Sequence, residues 1–126
     1  MKFLERNKMY PFNSDTQSFA WAIGIIEGEG WIGTDNKDST ARPRIEVEMS
    51  DFDVIQRMQN TFGGNVYFRP SRFPEYKPMW RWSLNKQKDV YQLLQNIEPF
   101  MSERRQAKIH EVIARYNLRR KPDAIH

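Results

Sequence analysis

A chain of 126 residues with no cysteine fits one compact core that stands without disulfides, and thiolate zinc sites are excluded. The longest uninterrupted apolar run, FAWAIGII, falls far short of the ~20 residues a membrane span requires, and the charged start MKFLERNK is not followed by a secretory apolar core, so the expectation is a soluble intracellular protein, not secreted, with no membrane partner. The formal net charge of +4 is unevenly placed: Arg104, Arg105, Lys108, Arg115, Arg119, Arg120 and Lys121 face only Glu103 and Glu111 near the end, and Arg69, Arg72, Lys77 and Arg81 lie among aromatics in the middle, as suits a polyanionic partner.

In chain order, Ser14 with Gln17 three residues on reads as a capping box. The apolar positions Phe19, Ile23 and Ile26 then predict a first helix up to Gly30. WIGTDNK and PRIEVEM read as two strands joined by a loop around DSTAR, with Ile45, Val47 and Met49 alternating against Arg44, Glu46 and Glu48. Ser50 followed by Asp53 opens a second helix with Phe52, Ile55, Met58 and Phe62 on its apolar side, stopped by Gly63 and Gly64. NVYFRP and PMWRWSL are strands three and four, linked by the polar, proline-rich SRFPEYK. DVYQLLQNI is a short helix broken by Pro99, and Ser102 opens a last helix with Ile109, Val112, Ile113 and Tyr116 inward. No internal repeat is present.

Two hairpins separated by a helix predict an α+β domain: an α-β-β-α-β-β-α core in which one four-stranded antiparallel sheet is covered by helices on its apolar face. The expected divisions are an N-terminal arm (1–12), the domain (13–118) and a basic tail (119–126). Trp80 and Trp82, alternating with Arg81, belong to the core side; His110 and His126 are too few and too far apart for a histidine metal site or triad. The opposite sheet face carries Arg44, Glu46, Glu48, Tyr67, Arg69, Arg81 and Ser83, a mixture able to address donors and acceptors of base edges, with Arg72 and Lys77 in the adjoining loop. A merely solvated face would present the same pattern.

Ala20, Gly24 and Gly28 fall at four-residue steps and form one helix stripe of almost no side-chain volume. A second backbone can approach there, and a second copy of the same helix about a two-fold axis is the simplest partner. Glu27 and Glu29 would then lie near their counterparts, at the helix end whose dipole disfavours acids, which calls for a counter-ion; hard oxygen ligands suit magnesium. Solvated glutamates on a helix simply terminated by Gly28 and Gly30 fit the same residues.

AIGIIEGEG, Ala22 to Gly30, resembles the nine-residue motif of the LAGLIDADG homing endonucleases, with Gly24, Glu27, Glu29 and Gly30 at its recurrent glycine and acid positions. The element order matches that family's core over about Asp15 to Tyr116, and KPMWRWSL and PFMSERRQAKI are similar to the fourth strand and the last-helix entry of single-motif phage and bacterial members. The resemblance implies a sequence-specific double-stranded DNA endonuclease, homodimeric on a roughly palindromic site, in a bacterial or phage-infected cytoplasm or an organelle. It implies Glu29 as metal ligand and catalytic residue, the Gly28 carbonyl as a second contact to Mg2+ (or Mn2+), and Glu27 as a residue that caps or supports the helix interface formed with Ala20, Gly24 and Gly28.

The resemblance also implies a basic residue at the start of the last helix. Counting from PF favours Arg104; counting back from QA lands on Glu103. Arginine in a first helical turn opposes the dipole by about 0.3–1 kcal/mol. The water-organising position near the end of strand two falls around Met49, which cannot do that work. Rival readings are a DNA-binding regulator of the same fold that has lost cleavage, a splicing helper (maturase) that binds intron RNA, and a metal-free dimeric adaptor whose glycine stripe is purely structural.

Overall fold

The computed structural model describes residues 15–35 and 42–125. The N-terminal arm, Ser14, the loop around DSTAR up to residue 41, and His126 lie outside the described residues. The elements are α1 (Thr16–Glu29), β1 (Gly30–Asp35), β2 (Arg42–Met49), α2 (Phe52–Phe62), β3 (Asn65–Arg69), β4 (Met79–Leu84), α3 (Gln87–Ile97), a 3-10 turn (Glu98–Phe100) and α4 (Glu103–Ile125). This is the expected α+β order with one four-stranded antiparallel sheet, arranged β1-β2-β4-β3. The two hairpins meet through β2 and β4. Among the described residues no helix is long and apolar enough to cross a membrane.

Local chemistry sets the boundaries. The cap of α1 is Asp15, in extended conformation, whose carboxylate accepts from the Ser18 amide at 2.7 Å; this corrects the expected Ser14–Gln17 box, since Asp–x–x–Ser offers an equally short acceptor one residue later. Likewise the cap position of α2 is Asp51 and not Ser50, without a side-chain bond. At the other end of α2, Gly63 takes φ 76° and its amide donates to Gln59 O at 2.7 Å, a left-handed cap that a side chain would strain. The Trp82 indole N–H donates to the Gly63 carbonyl at 2.7 Å, which satisfies a helix end with a core side chain and pins α2 to β4.

The registers Ile32↔Ile45↔Leu84 and Val47↔Trp82 put the apolar residues of three strands on one face. There they bury with Phe19, Ala22 and Ile26 of α1, Ile55, Met58 and Phe62 of α2, Leu93, Leu94 and Ile97 of α3, and Ile109 and Val112 of α4. Each of the larger of these side chains contributes roughly 1.5–3 kcal/mol of transfer free energy, and Ala22 less. Trp82 is completely buried, as its place on the apolar face requires. Coverage thins toward the β3 edge: Phe68 is 51% exposed and Phe52 44%, and both stack on Trp80, with ring centroids 4.8 and 4.5 Å away. Alternation thus places Phe68 on the apolar face, where on the edge strand it stays half exposed. The last helix continues through the segment 119–125.

Candidate functional site

Helix α1 runs straight into β1 with no loop between Glu29 and Gly30. Gly30 makes this possible by its lack of a side chain: a Cβ there would stand 2.6 Å from Ile26 O and 2.9 Å from Ile26 Cα. By contrast, a Cβ on Gly24 or Gly28 would meet nothing within 4 Å, and Ala20, Gly24 and Gly28 are all exposed. The smooth stripe therefore faces outward. Phe19, Ala22 and Ile26 hold the opposite side of α1 in the core, and Trp21, Ile23 and Ile25 pack partly against it. From Thr16 to Ile26 the helix carries no charge.

Of the two acids, Glu29 is exposed and Glu27 partly covered. The Glu27 carboxylate is engaged within the chain: Oε1 accepts from the Ser102 amide at 2.9 Å and Oε2 from the Ser102 hydroxyl at 2.8 Å. It thereby serves the orphan donors at the start of α4, where negative charge is favoured. These bonds from Ser102, with help from Arg105 and Arg104, hold the Glu27 carboxyl below its ordinary value of 4.5. In return Arg105, only 8% exposed, donates from Nη2 to the Glu27 carbonyl at 3.1 Å, a cation on the negative end of α1. Burial, and next the neighbouring Arg104, push Arg105 below the usual arginine range. The reciprocal lock was not foreseen, because residues 75 positions apart give no sequence signal of contact.

Arg104 is exposed beside it. Together with Arg105, Ala107, Lys108 and Glu111 it lines one wall of an open groove of about 440 Å³, whose other wall is Gly30, Trp31 and Ile32. The groove thus begins at the residue after Glu29, and its α4 wall is predominantly cationic. No group of three metal-ligating side chains occurs among the described residues. One chain offers an exposed carboxylate at Glu29, so the oxygen chemistry fits a hard divalent cation, while the ligand number requires further oxygens from outside the chain.

The opposite face of the sheet assembles the other expected residues in rows. Glu48 pairs with Arg81, and Arg81 with Tyr67; Glu46 pairs with both Trp31 and Ser83, and Ser83 with Asn65; Arg44 pairs with Gly33. Arg44, Glu46, Glu48, Tyr67, Arg69 and Arg81 remain accessible. Ser83 lies on this face by register but is only 2% exposed, its hydroxyl set toward Glu46 at 3.3 Å. Arg72 and Lys77 are exposed in the loop between β3 and β4, at the sheet end where β1 leaves Glu29.

Sequence reasoning missed Trp31. It is 44% exposed, and its indole folds back across Gly33, where a Cβ would stand 2.6 Å from the ring, with the Arg44 guanidinium 5.4 Å from the ring centroid. The signal was available: a tryptophan two residues before a glycine on one strand face can occupy the space the glycine leaves.

No protein-family profile matches the sequence. The fold is similar to that of the homing endonuclease I-CvuI, solved in complex with its DNA target in the presence of Ca, at TM-score 0.56 and 18% identity, over 78% of this chain and 64% of that one. It is also similar to the group I intron-encoded homing endonuclease I-CeuI complexed with DNA, at TM-score 0.62 and 12% identity over 89% and 58%, and to the archaeal intron-encoded I-Vdi141I complexed with DNA, at 0.57 and 11% over 86% and 70%. I-CvuI was also crystallised on another target in the presence of Mg. The chain spans less than two thirds of the length of I-CvuI and of I-CeuI. What it shares with these DNA-bound homing endonucleases is the α-β-β-α-β-β-α fold with its four-stranded antiparallel sheet.

Proposed function

We propose that the protein is a double-stranded DNA endonuclease that acts as a homodimer with divalent metal ions. The observation that carries this reading is the exposed Glu29 carboxylate at the end of a helix whose outer stripe, Ala20, Gly24 and Gly28, is bare of side-chain volume. Two copies joined along that stripe bring two Glu29 carboxylates together over one duplex.

In this reading Glu29 and the Gly28 carbonyl would hold Mg2+ or Mn2+. The ion, when bound, supplies Lewis-acid activation of water and charge stabilisation at the departing 3′ oxygen. Arg104, in the groove that begins beside Glu29, neutralises a phosphate near the cut. Glu27, Ser102 and Arg105 fix the acid and the base relative to each other by joining the helices that carry them. Arg44, Glu46, Glu48, Tyr67, Arg69 and Arg81 lie in the major groove, where same-face residues step about 6.6 Å, or roughly two base pairs. Arg72 and Lys77 contact phosphate.

A second reading, a DNA-binding regulator or intron RNA splicing helper of the same fold, is favoured by one observation. Met49, where a water-organising polar group is expected, packs partly buried against the core. Incubation with a randomised duplex library and Mg2+, sequencing cut and retained fragments, separates the two. Cut fragments sharing one roughly palindromic site support the nuclease; retained but intact duplex supports the regulator; neither contradicts DNA recognition. Glu29→Gln is expected to abolish cutting while DNA affinity stays within about tenfold.

A further inference from the structure

Three arginines of the sheet face, Arg44, Arg69 and Arg81, are each paired with a carboxylate. Glu48 Oε2 lies 2.8 Å from Arg69 Nη1 and 3.6 Å from Arg81 Nη2. Because β4 stands between β2 and β3, Arg69 reaches Glu48 only by lying across the intervening strand, a span of about 10 Å between strand axes. Glu46 Oε2 lies 3.3 Å from Arg44 Nε and takes a second contact from the Ser83 hydroxyl at 3.3 Å, while Asp35 lies 3.8 Å from the far side of Arg44. Glu46 is the most covered of these groups, with its side chain 17% exposed. Two carboxylates, Glu46 and Glu48, therefore organise three arginines.

As solvated ion pairs these contacts add little to stability. Their effect on recognition is larger, since a phosphate attracts a guanidinium through net charge and an arginine already paired with a carboxylate has that charge offset. It keeps, however, most of its five N–H donors, and a guanine edge with its O6 and N7 acceptors asks for donors in a fixed plane. A paired, oriented arginine thus disfavours bare backbone and retains its use for base edges.

We propose that Glu48, and with it Glu46, are positioning residues that set the selectivity of the face by holding Arg69, Arg81 and Arg44 in a partly neutralised arrangement, which admits a duplex offering acceptors in register and resists indiscriminate polyanion binding. This rests on the DNA-binding reading. The acids are not themselves the principal base readers.

The test uses the full-length protein, a random-sequence duplex of ~30 base pairs, and titrations at several NaCl concentrations. Glu48→Gln keeps the shape and removes the charge; Asp53→Asn, at an exposed position on α2, on the other side of the sheet, makes the same change in net charge. Glu48→Gln is expected to bind random duplex about fivefold more tightly than Asp53→Asn near 100 mM salt, with a steeper salt dependence. Sequences it retains from a randomised library should be less enriched than those of wild type. Equal effects of the two variants overturn the proposal, because net charge alone would then account for them, and so does unchanged or weaker binding by Glu48→Gln. If neither wild type nor variants bind duplex, the DNA reading fails and this inference falls with it, whereas binding by wild type that Glu48→Gln leaves unaltered removes the inference alone.

Discussion

Glu27 and Ser102 are bonded twice, carboxylate to amide and carboxylate to hydroxyl, at 2.9 and 2.8 Å. This contact joins the end of α1, two residues before Glu29, to the turn that carries Arg104 and Arg105. Removing it with Glu27→Ala is expected to cost about 1–2 kcal/mol, as for loss of a helix cap, and Glu27→Gln somewhat less. Urea denaturation measures both, and a cost near zero would show that the contact positions nothing.

The same bond gives a pH dependence. The folded carboxyl of Glu27 titrates below its ordinary value of 4.5 because the folded state stabilises the anion. Its contribution is therefore fully present above that ordinary value and is lost as pH falls through the lower folded value. Asp15, fully exposed and lowered by its bond from the Ser18 amide, acts in the same direction. Wild type should lose stability below about pH 4.5 more steeply than Glu27→Gln. Parallel curves in acid would contradict the assignment.

The glycines of α1 divide by what a methyl group would meet. Gly30→Ala drives Cβ to 2.6 Å from a backbone oxygen and is expected to cost about 2 kcal/mol or more. Gly24→Ala meets nothing in the chain and should stabilise the isolated protomer by about 0.5–1 kcal/mol. In the proposed dimer the same methyl would lie in the helix contact, so the dissociation constant should rise about tenfold. Opposite signs in thermal melting of dilute protein and in self-association would identify the stripe as an interface.

Gly33→Ala cannot keep the indole of Trp31 where it lies, since the new Cβ would fall 2.6 Å from the ring. The expected result is a red-shifted tryptophan emission with a stability change of about 1 kcal/mol or less, because Trp31 is already 44% exposed. An unshifted spectrum would place the indole elsewhere.

Much of the architecture was legible because alternation and helical spacing report burial directly. Ile45, Val47, Trp82 and Leu84 fell on the apolar face, and Gly63 ended α2. The partnerships were not legible. Strand order puts β4 between β2 and β3, so that Glu48 meets both Arg81 beside it and Arg69 beyond, and nothing in the alternation of PRIEVEM or NVYFR encodes that. Phe68 shows the same limit: its side of the strand follows from parity, while its exposure goes with the place of β3 at the sheet edge, which parity does not encode. The bond from Ser102 to Glu27 is of the same kind: it joins residues of distant segments and has no sequence signal.

In the proposed function two protomers meet along Ala20, Gly24 and Gly28 and bring their Glu29 carboxylates together on one duplex. Sedimentation velocity of the purified protein with a duplex recovered from the randomised library measures this most directly. Two protomers per duplex, reduced to one by Gly24→Leu, is the expected result; a wild-type protein that stays a single protomer with the duplex present would contradict it.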